Sequence, residues 1–496
     1  MELLAAIAEQ ILRLDVFIAL AVGAIGGVII GAIPGVGPAV AIAILLPATF
    51  QFEPIVGLTL LLGIYGSSMY GGALPAILIN TPGTAVNALT TYDGYPMTQR
   101  GEARRALSLA YSASFFGAVF SIFCLLALSP VLASIAPLFG SRDIFMAALL
   151  GVICVVLAHR GQTMIAAALL CFGMFLNTVG LEAVRYSKRF TFDQSWLNSG
   201  FDLIVVILGL FALSQAYFLL GDRGQQAKLP DVTGSRLSGF GEILRHKRLA
   251  AVSSGFGVIM GMIPGVGEFT AQFFSYAYAQ KTSKQPELIG RGSPEGLIAS
   301  ESANNAVPAA AMIPLLALGI PGEALTAMML SVFYVHGVIP GPSFFETQSG
   351  FFYSLFVVLL VINCVVLIFL LLATNGLIKV IKIPNRILGV IVMTLSLVGV
   401  YSLRNSLTDC AIAAVFGLIG LALRHLNWPI VPIILGMVLG RIMEDKFRAS
   451  MARVDSPLDF IDRPVSGTLF AIIVLALLFH IAGLIRERRI SRSLHA

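Results

Sequence analysis

The sequence predicts an all-α polytopic membrane protein of two inverted homologous halves with discontinuous or re-entrant helices, and three observations carry that expectation. The first is composition: 57% of the 496 residues are hydrophobic and only 12% are charged, with a mean hydropathy of +0.90. That leaves too little polar surface to coat a soluble globule of this size. The second is a series of long apolar runs that do not alternate polar with apolar residues, which excludes a membrane β-barrel. The third is a nearly repeated break, GAIPGVG at 31–37 and GMIPGVG at 261–267, which sets the worst helix formers inside apolar runs.

The runs lie at 15–32, 56–79, 106–139, 143–158, 163–180, 201–220, 249–263, 297–320, 351–377, 385–403, 407–424, 428–441 and 466–485. Since a span needs roughly 20 mostly apolar residues, they predict about 11 to 14 membrane segments. The first fifteen residues hold Glu2, Glu9, Arg13 and Asp15 but no basic leader with a small-residue cleavage site, so no cleaved signal peptide is expected. Cys124, Cys154, Cys171, Cys364 and Cys410 lie in or beside apolar runs without a CxxC pair, as packing residues do. The net charge of +6 sits mostly outside the runs, in 223–248 and in the tail at 486–492. It reads as topology-setting charge at a cytoplasmic surface rather than as a nucleic-acid site. Trp196 and Trp428, near run ends, fit interfacial anchors, and Arg404 with Asp409 reads as a loop pair.

A second shared element strengthens the repeat. PAILINTPGTAVNA (75–88) aligns with PLLALGIPGEALTA (314–327), each reading Pro, six residues, Pro-Gly. Pro34 and Pro264 are 230 residues apart and Pro82 and Pro321 are 239 apart, so two elements recur in one order at nearly one spacing. The chain divides into a first repeat (1–222), a basic linker (223–248), and a second repeat with a basic tail (249–496). Corresponding loops carry opposite charge bias. QFEP (51–54) is acidic where 281–292 is basic, and 99–105 is basic where 341–350 lacks Lys and Arg. Opposite bias is expected of halves inserted upside down relative to each other. The linker, 281–292 and 99–105 would then share the cytoplasmic side, and each PGVG would be the turn of a pair of segments that enters and returns from one face.

Proline removes a backbone donor and glycine permits positive φ, so each break leaves backbone groups unpaired. Such groups persist in a membrane only where protein, water or a ligand satisfies them. Matched interruptions in two halves point to a transport site near the midplane, with helix N-termini for an anion and freed carbonyls for a cation. The plainer alternative is a pair of glycine-lined packing kinks. No GxGxxG after a strand, no P-loop, no HExxH and no GxSxG occurs, and none of the six histidines suggests a Ser/His/Asp set. The expectation is therefore a secondary transporter, not an enzyme, with no cofactor.

The strings GAIPGVGPAVAIAILLP, YGGALPAILINTPGTAVNALTTYDGYPMTQRGEARRAL, GMIPGVGEFTAQFFSYAYAQK, SPEGLIASESANNAVPAAAMIPLLALGIPGEALTAMML and HGVIPGP closely resemble the large membrane subunit of the tripartite tricarboxylate transporters, the TctA family. The resemblance runs over about residues 15–440. It implies a bacterial inner-membrane transporter of organic carboxylates working with a small membrane subunit and a periplasmic solute-binding protein, driven by a Na+ or H+ gradient; the alternative is a channel-like permease acting without a binding protein. It also implies substrate-facing positions at Pro34, Gly35, Gly37, Asn80, Thr81, Pro82, Gly83, Pro264, Gly265, Gly267, Asn304, Asn305, Pro321 and Gly322. In these roles backbone amides at the turns take carboxylate oxygens, and Asn80, Thr81, Thr84, Asn304 and Asn305 add neutral donors or cation-coordinating oxygens. For Asn304 and Asn305 the alternative is hydrogen bonding between helices.

Buried acids are costly in a membrane, so Glu268, Glu301 and Glu323 are the coupling-ion candidates, Glu301 foremost. The alternative is a salt bridge or a water-facing mouth. Glu323 departs from the small residue that follows Ile-Pro-Gly in the family pattern. Its charge opposes an anionic substrate such as citrate, and it would pair with a cation or with a positive group on the substrate. His336 opens a loop and reads as an interfacial hydrogen-bonded residue.

Overall fold

Glycine and proline decide where the helices stop. In the computed structural model, which describes residues 2–34, 36–135, 138–159, 161–182, 186–221, 232–341, 344–380, 383–451 and 456–494, nearly every ordered segment is helical. The first half runs α1 (Glu2–Ile11), α2 (Leu14–Gly31), α3 (Gly37–Thr49), α4 (Pro54–Ile79), α5 (Ala88–Gln99), α6 (Ala103–Ile135), α7 (Ser141–Ala158) and α8 (Thr163–Thr178). A short strand pair, Gly180–Leu181 with Lys188–Arg189, follows. One further apolar segment runs from α9 (Leu203–Ile207) through a π-helical stretch at Leu208–Leu213 into α10 (Ser214–Gly221). After the linker come α11 (Ser238–Arg245), α12 (Lys247–Met262), α13 (Gly267–Thr282), α14 (Pro294–Leu318), α15 (Ala324–Val335), α16 (Phe344–Thr347), α17 (Ser349–Leu377), α18 (Asn385–Arg404), α19 (Leu407–His425), α20 (Val431–Met451) and α21 (Pro464–Leu494).

Among the described residues, nine helices are long and apolar enough to cross a membrane, and three shorter apolar ones (α3, α8, α15) accompany them. The chain is therefore a multi-pass membrane protein. The 25-residue α14 falls outside the nine because it is polar; Ser300, Glu301, Ser302, Asn304 and Asn305 stand on it, all buried.

The PGVG elements are the tips of helical hairpins. Beyond Gly31, α2 gives way to a turn that reaches Gly37 at φ +57°, and α3 returns from it. At the open end, Arg13 before α2 donates to Glu53 after α3 at 2.5 Å and also pairs with Asp15. That bond from Arg13 holds the Glu53 carboxyl below the usual carboxylate range. In the second half α12 and α13 meet at a turn with Gly265 at φ +81° and Gly267 at φ +65°. Their open end forms a basic cleft between Lys247 and Thr282.

Small residues let these hairpins pack closely on the long helix that follows. A Cβ on Gly23, Gly27 or Gly31 of α2 would fall 2.6, 2.0 and 2.1 Å from Leu60 O, Ser67 Oγ and Ser68 O of α4. Gly257 and Gly261 of α12 lie in the same way against Ala303, Ala306 and Ala310 of α14. Repeating small residues every four positions is the usual device for close helix approach in membranes.

The two halves also exchange helices: α6 of the first packs on α14 of the second, and α17 of the second packs on α4 of the first. Several loops are tied together by side-chain bonds. Arg100 donates to the carbonyls of Arg291 and Gly292 at 3.1 and 2.5 Å, Arg105 pairs with Glu242 at 2.6 Å, and Arg104 reaches Val232 O at 3.1 Å. These bonds gather 99–105, the loop before α14 and the described part of the linker. Elsewhere, His336 after α15 lies 3.3 Å from Thr49 O, beside the mouth of the first hairpin. Arg404 and Asp409 form the loop ion pair, at 3.0 Å.

Candidate functional site

The Pro-Gly elements end α4 and α14 in matching geometry. Asn80 (φ 55°) and Gly319 (φ 69°) are the left-handed caps of the two helices. One residue later, Thr81 N donates to Pro75 O at 3.4 Å and Ile320 N to Pro314 O at 3.3 Å. Each turn then folds back onto its own half's hairpin tip. A Cβ on Gly83 would lie 2.1 Å from Gly31 O, and one on Gly322 would lie 3.1 Å from Gly261 O. In the second half Gly265 N–H also donates to Gly322 O at 2.6 Å, which ties the PGVG and Pro-Gly elements directly together.

The turns differ in cover. Asn80 and Thr81 are exposed and Pro82 half-buried, whereas Pro321 and Gly322 are buried and Pro340 O stands over Gly319. Asn80 and Thr81 thus stand apart from the buried polar groups described next, because they lie beyond the end of α4 and are exposed. Pro34, Gly37, Pro264 and Gly267 are half-buried at the hairpin tips. Gly35 lies outside the described residues.

Deeper in, the halves meet on one carboxylate. Glu301 is wholly buried. Its Oε1 accepts from Thr90 Oγ1 at 2.5 Å and Asn87 Nδ2 at 3.3 Å, and its Oε2 accepts from Ser114 Oγ at 2.8 Å and Asn305 Nδ2 at 3.4 Å. Three of these donors belong to the first half, and all four are neutral. Asn87 Oδ1 accepts from Thr84 Oγ1 at 2.5 Å, so Thr84 reaches Glu301 through one intervening side chain. A Cβ on Gly72 would lie 2.1 Å from Asn87 Oδ1, so the backbone of α4 closes this network from one side.

Glu268, in the first turn of α13, is buried and accepts from Tyr65 OH of the first half at 3.4 Å. Glu323 precedes α15; it is buried, its Oε1 has no partner, and its Oε2 lies 3.9 Å from where Gly267 would carry a Cβ. One turn after Glu268, Gln272 donates to Val86 O of the first half's Pro-Gly segment and leaves its Oε1 unpaired. Asn304 has both side-chain polar atoms buried and unpaired, as is Asn305 Oδ1. Unpaired buried amides and carboxylates are expensive; on α13, α14 and the α15 cap they are Gln272 Oε1, both polar atoms of Asn304, Asn305 Oδ1 and Glu323 Oε1, and Gln215 of α10 has both of its own unpaired as well.

Sequence reasoning did not single out Thr90, Ser114, Asn87, Gln272 or Tyr65. Asn87 stood inside the matched Pro-Gly string, but nothing in one sequence marks a threonine or serine within an apolar run as the partner of an acid some 200 residues away.

Comparison with known proteins gives a consistent picture. The profile of the tripartite tricarboxylate transporter TctA family matches residues 17–435. An Agrobacterium vitis protein described as an uncharacterized 52.8 kDa protein in the TAR-I ttuC' 3' region is 32% identical over 477 residues, covering 94% of this chain and 93% of its own length. A second protein of that organism, from the TAR-II ttuC' 3' region, is 31% identical over 235 residues, covering 47% of this chain and 97% of its own. No solved structure matches.

Proposed function

Since the chain belongs to the tripartite tricarboxylate transporter TctA family, we propose that it is the large transport subunit of a binding-protein-dependent secondary transporter. It imports tri- or dicarboxylates across a bacterial inner membrane, coupled to Na+ or H+. A small membrane subunit and a periplasmic solute-binding protein complete the system, and the linker and tail face the cytoplasm.

The observation that carries this reading is Glu301. An anionic carboxylate with four neutral donors and no basic partner among the described residues is uncompensated in a bilayer. It needs a proton or a metal cation, and it sits where the two halves touch, so loading and unloading that charge acts on both. The open amides of Asn304 and Gln272 and the backbone of the tied Pro-Gly and PGVG turns form the substrate side, as the substrate positions named above require. Glu268 and Glu323 hold the positive charge that balances a polyanion there. Their first-half counterparts are Pro38 and Thr84, so the two halves hold different groups.

The loop arrangement supports an inverted pair of halves. The first hairpin opens beside His336, and the second opens near the surface where 99–105, 290–293 and the linker collect. An inverted pair can expose a fixed central site to either side by rocking one half against the other.

The test is uptake of labelled di- and tricarboxylates into proteoliposomes holding the chain and its small subunit. Accumulation that requires both a purified solute-binding protein and an imposed Na+ or H+ gradient is the expected result. Flux that runs without a gradient or without the receptor refutes the reading.

A further inference from the structure

The open ends of the two hairpins occupy corresponding places but carry different charge. At the first, Arg13 is saturated by Asp15 and Glu53. At the second, Arg245, Lys247 and Arg248 stand exposed around a cleft of about 460 Å³ whose walls are completed by Tyr278, Thr282 and Ser283. None of these three cations has an ion pair among the described residues. The one acid in the wall, Glu295, lies 3.8 Å from His246. The cleft therefore carries three cations against one acid, and among the described residues that acid lies on His246 rather than on any of the three.

Its surroundings are those of a membrane surface. The short α11 packs through Gly239 against Ser108 of α6 and turns Leu244, 71% exposed, outward, as an interfacial helix does. From the cleft an apolar strip runs along the hairpin: Val252 and Ile259 of α12 and Phe273 and Phe274 of α13 are exposed, and the Phe256 and Phe274 rings stack 6.4 Å apart. A basic pocket between helices, continued by an exposed aromatic strip, has the two-part shape of a phospholipid.

We propose that this cleft binds the phosphate of an anionic phospholipid, whose acyl chains lie on the Phe256–Phe274 strip. The bound lipid supplies the negative charge that Asp15 and Glu53 supply at the first hairpin. Basic pockets on membrane helices recognise anionic headgroups in this way, and each cation near the surface contributes about a fivefold gain, or roughly a hundredfold for three.

The experiment uses the full-length chain purified in detergent, with phosphatidylglycerol or phosphatidylcholine added and retention read by native mass spectrometry. The wild type is expected to retain phosphatidylglycerol, and the Arg245→Gln/Lys247→Gln/Arg248→Gln variant to lose it by roughly a hundredfold in affinity. A Lys379→Gln/Arg386→Gln variant removes exposed cations at the end of α17 and the start of α18, where Asn375 meets Arg104; it should retain the lipid. A Phe256→Ala/Phe274→Ala variant keeps the charges and should weaken retention on its own, which separates lipid from free phosphate even where the triple variant is unstable. Equal loss in the Lys379/Arg386 control, full retention in the triple variant, or displacement of the lipid by inorganic phosphate or citrate at matched concentration would overturn the assignment.

Discussion

Glu301→Gln keeps the shape of the side chain and removes its charge. In the wild type four donors converge on two oxygens, at 2.5, 3.3, 2.8 and 3.4 Å. In the variant one oxygen becomes an NH2 that faces donors. On the Oε2 side the Ser114 hydroxyl can rotate to accept, and the Asn305 amide, opposed where its 3.4 Å bond stood, keeps its 2.8 Å bond to Ser114 Oγ, so the cost is at most about 1–3 kcal/mol. The protein should therefore fold, with a modest fall in thermal stability in detergent. Coupling should suffer more. One charged ligand is worth about 1.5–3 kcal/mol to a bound cation, and tenfold in affinity is 1.4 kcal/mol, so the half-saturating cation concentration should rise about 10- to 100-fold. The assay is receptor-dependent uptake into proteoliposomes, titrated with Na+ at fixed pH and with pH at fixed Na+. If Glu301→Gln retains the wild-type dependence on both cations, Glu301 is a structural acceptor and the coupling role assigned to it is wrong.

The hairpin tips give a matched pair of substitutions. Gly265→Ala forces a positive φ and places a Cβ 2.6 Å from Val155 Cα, so it should cost about 2–5 kcal/mol in detergent melting; Gly37→Ala, at φ +57° in open space, should cost only about 1–2 kcal/mol. Asn80→Gly should be neutral to within about 0.5 kcal/mol, since glycine fills the same cap at 319, while Asn80→Val should lose about 1–2 kcal/mol in the same melts. Asp93 is wholly buried and accepts from the backbone N–H groups of Gly290, Gly292 and Ser293 at 2.9, 2.9 and 2.6 Å and from Tyr276 OH at 2.6 Å. Asp93→Ala orphans these donors, so hydrogen exchange over 290–293 should accelerate by about a hundredfold or more. The Glu53 carboxyl is held below its ordinary range by Arg13, so its contribution is present at neutral pH and lost on acidification through the lowered pKa. Arg13→Ala should abolish that acid-dependent change in melting temperature, and an unchanged profile would remove the pair from any role at the hairpin mouth.

Much of the fold was legible because membrane burial imposes local rules. A helix in lipid must satisfy its own backbone, so apolar runs mark spans, and Pro-Gly breaks mark places where something else satisfies it. The matched strings at 31–37 and 261–267 and at 75–88 and 314–327 become matched hairpin tips and matched left-handed caps at Asn80 and Gly319. Glu301 stood out as an acid in an apolar setting. The run at 297–320 becomes α14, although its buried Ser, Glu and Asn side chains lower its hydropathy below that of the nine apolar helices.

By itself, then, the sequence determined the multi-pass helical class, the family resemblance and the positions of the breaks, since each follows from residue type and near-neighbour spacing. Only the tertiary structure decided what each break meets. It brought Thr90 and Ser114 onto Glu301, Gln272 onto Val86, and Gly265 onto Gly322, and it left Asn80 and Thr81 outside that buried network. These partners lie on different helices, some of them in different halves of the chain. Which donors reach a buried carboxylate depends on how helices with interchangeable apolar faces pack, and apolar periodicity does not encode that choice.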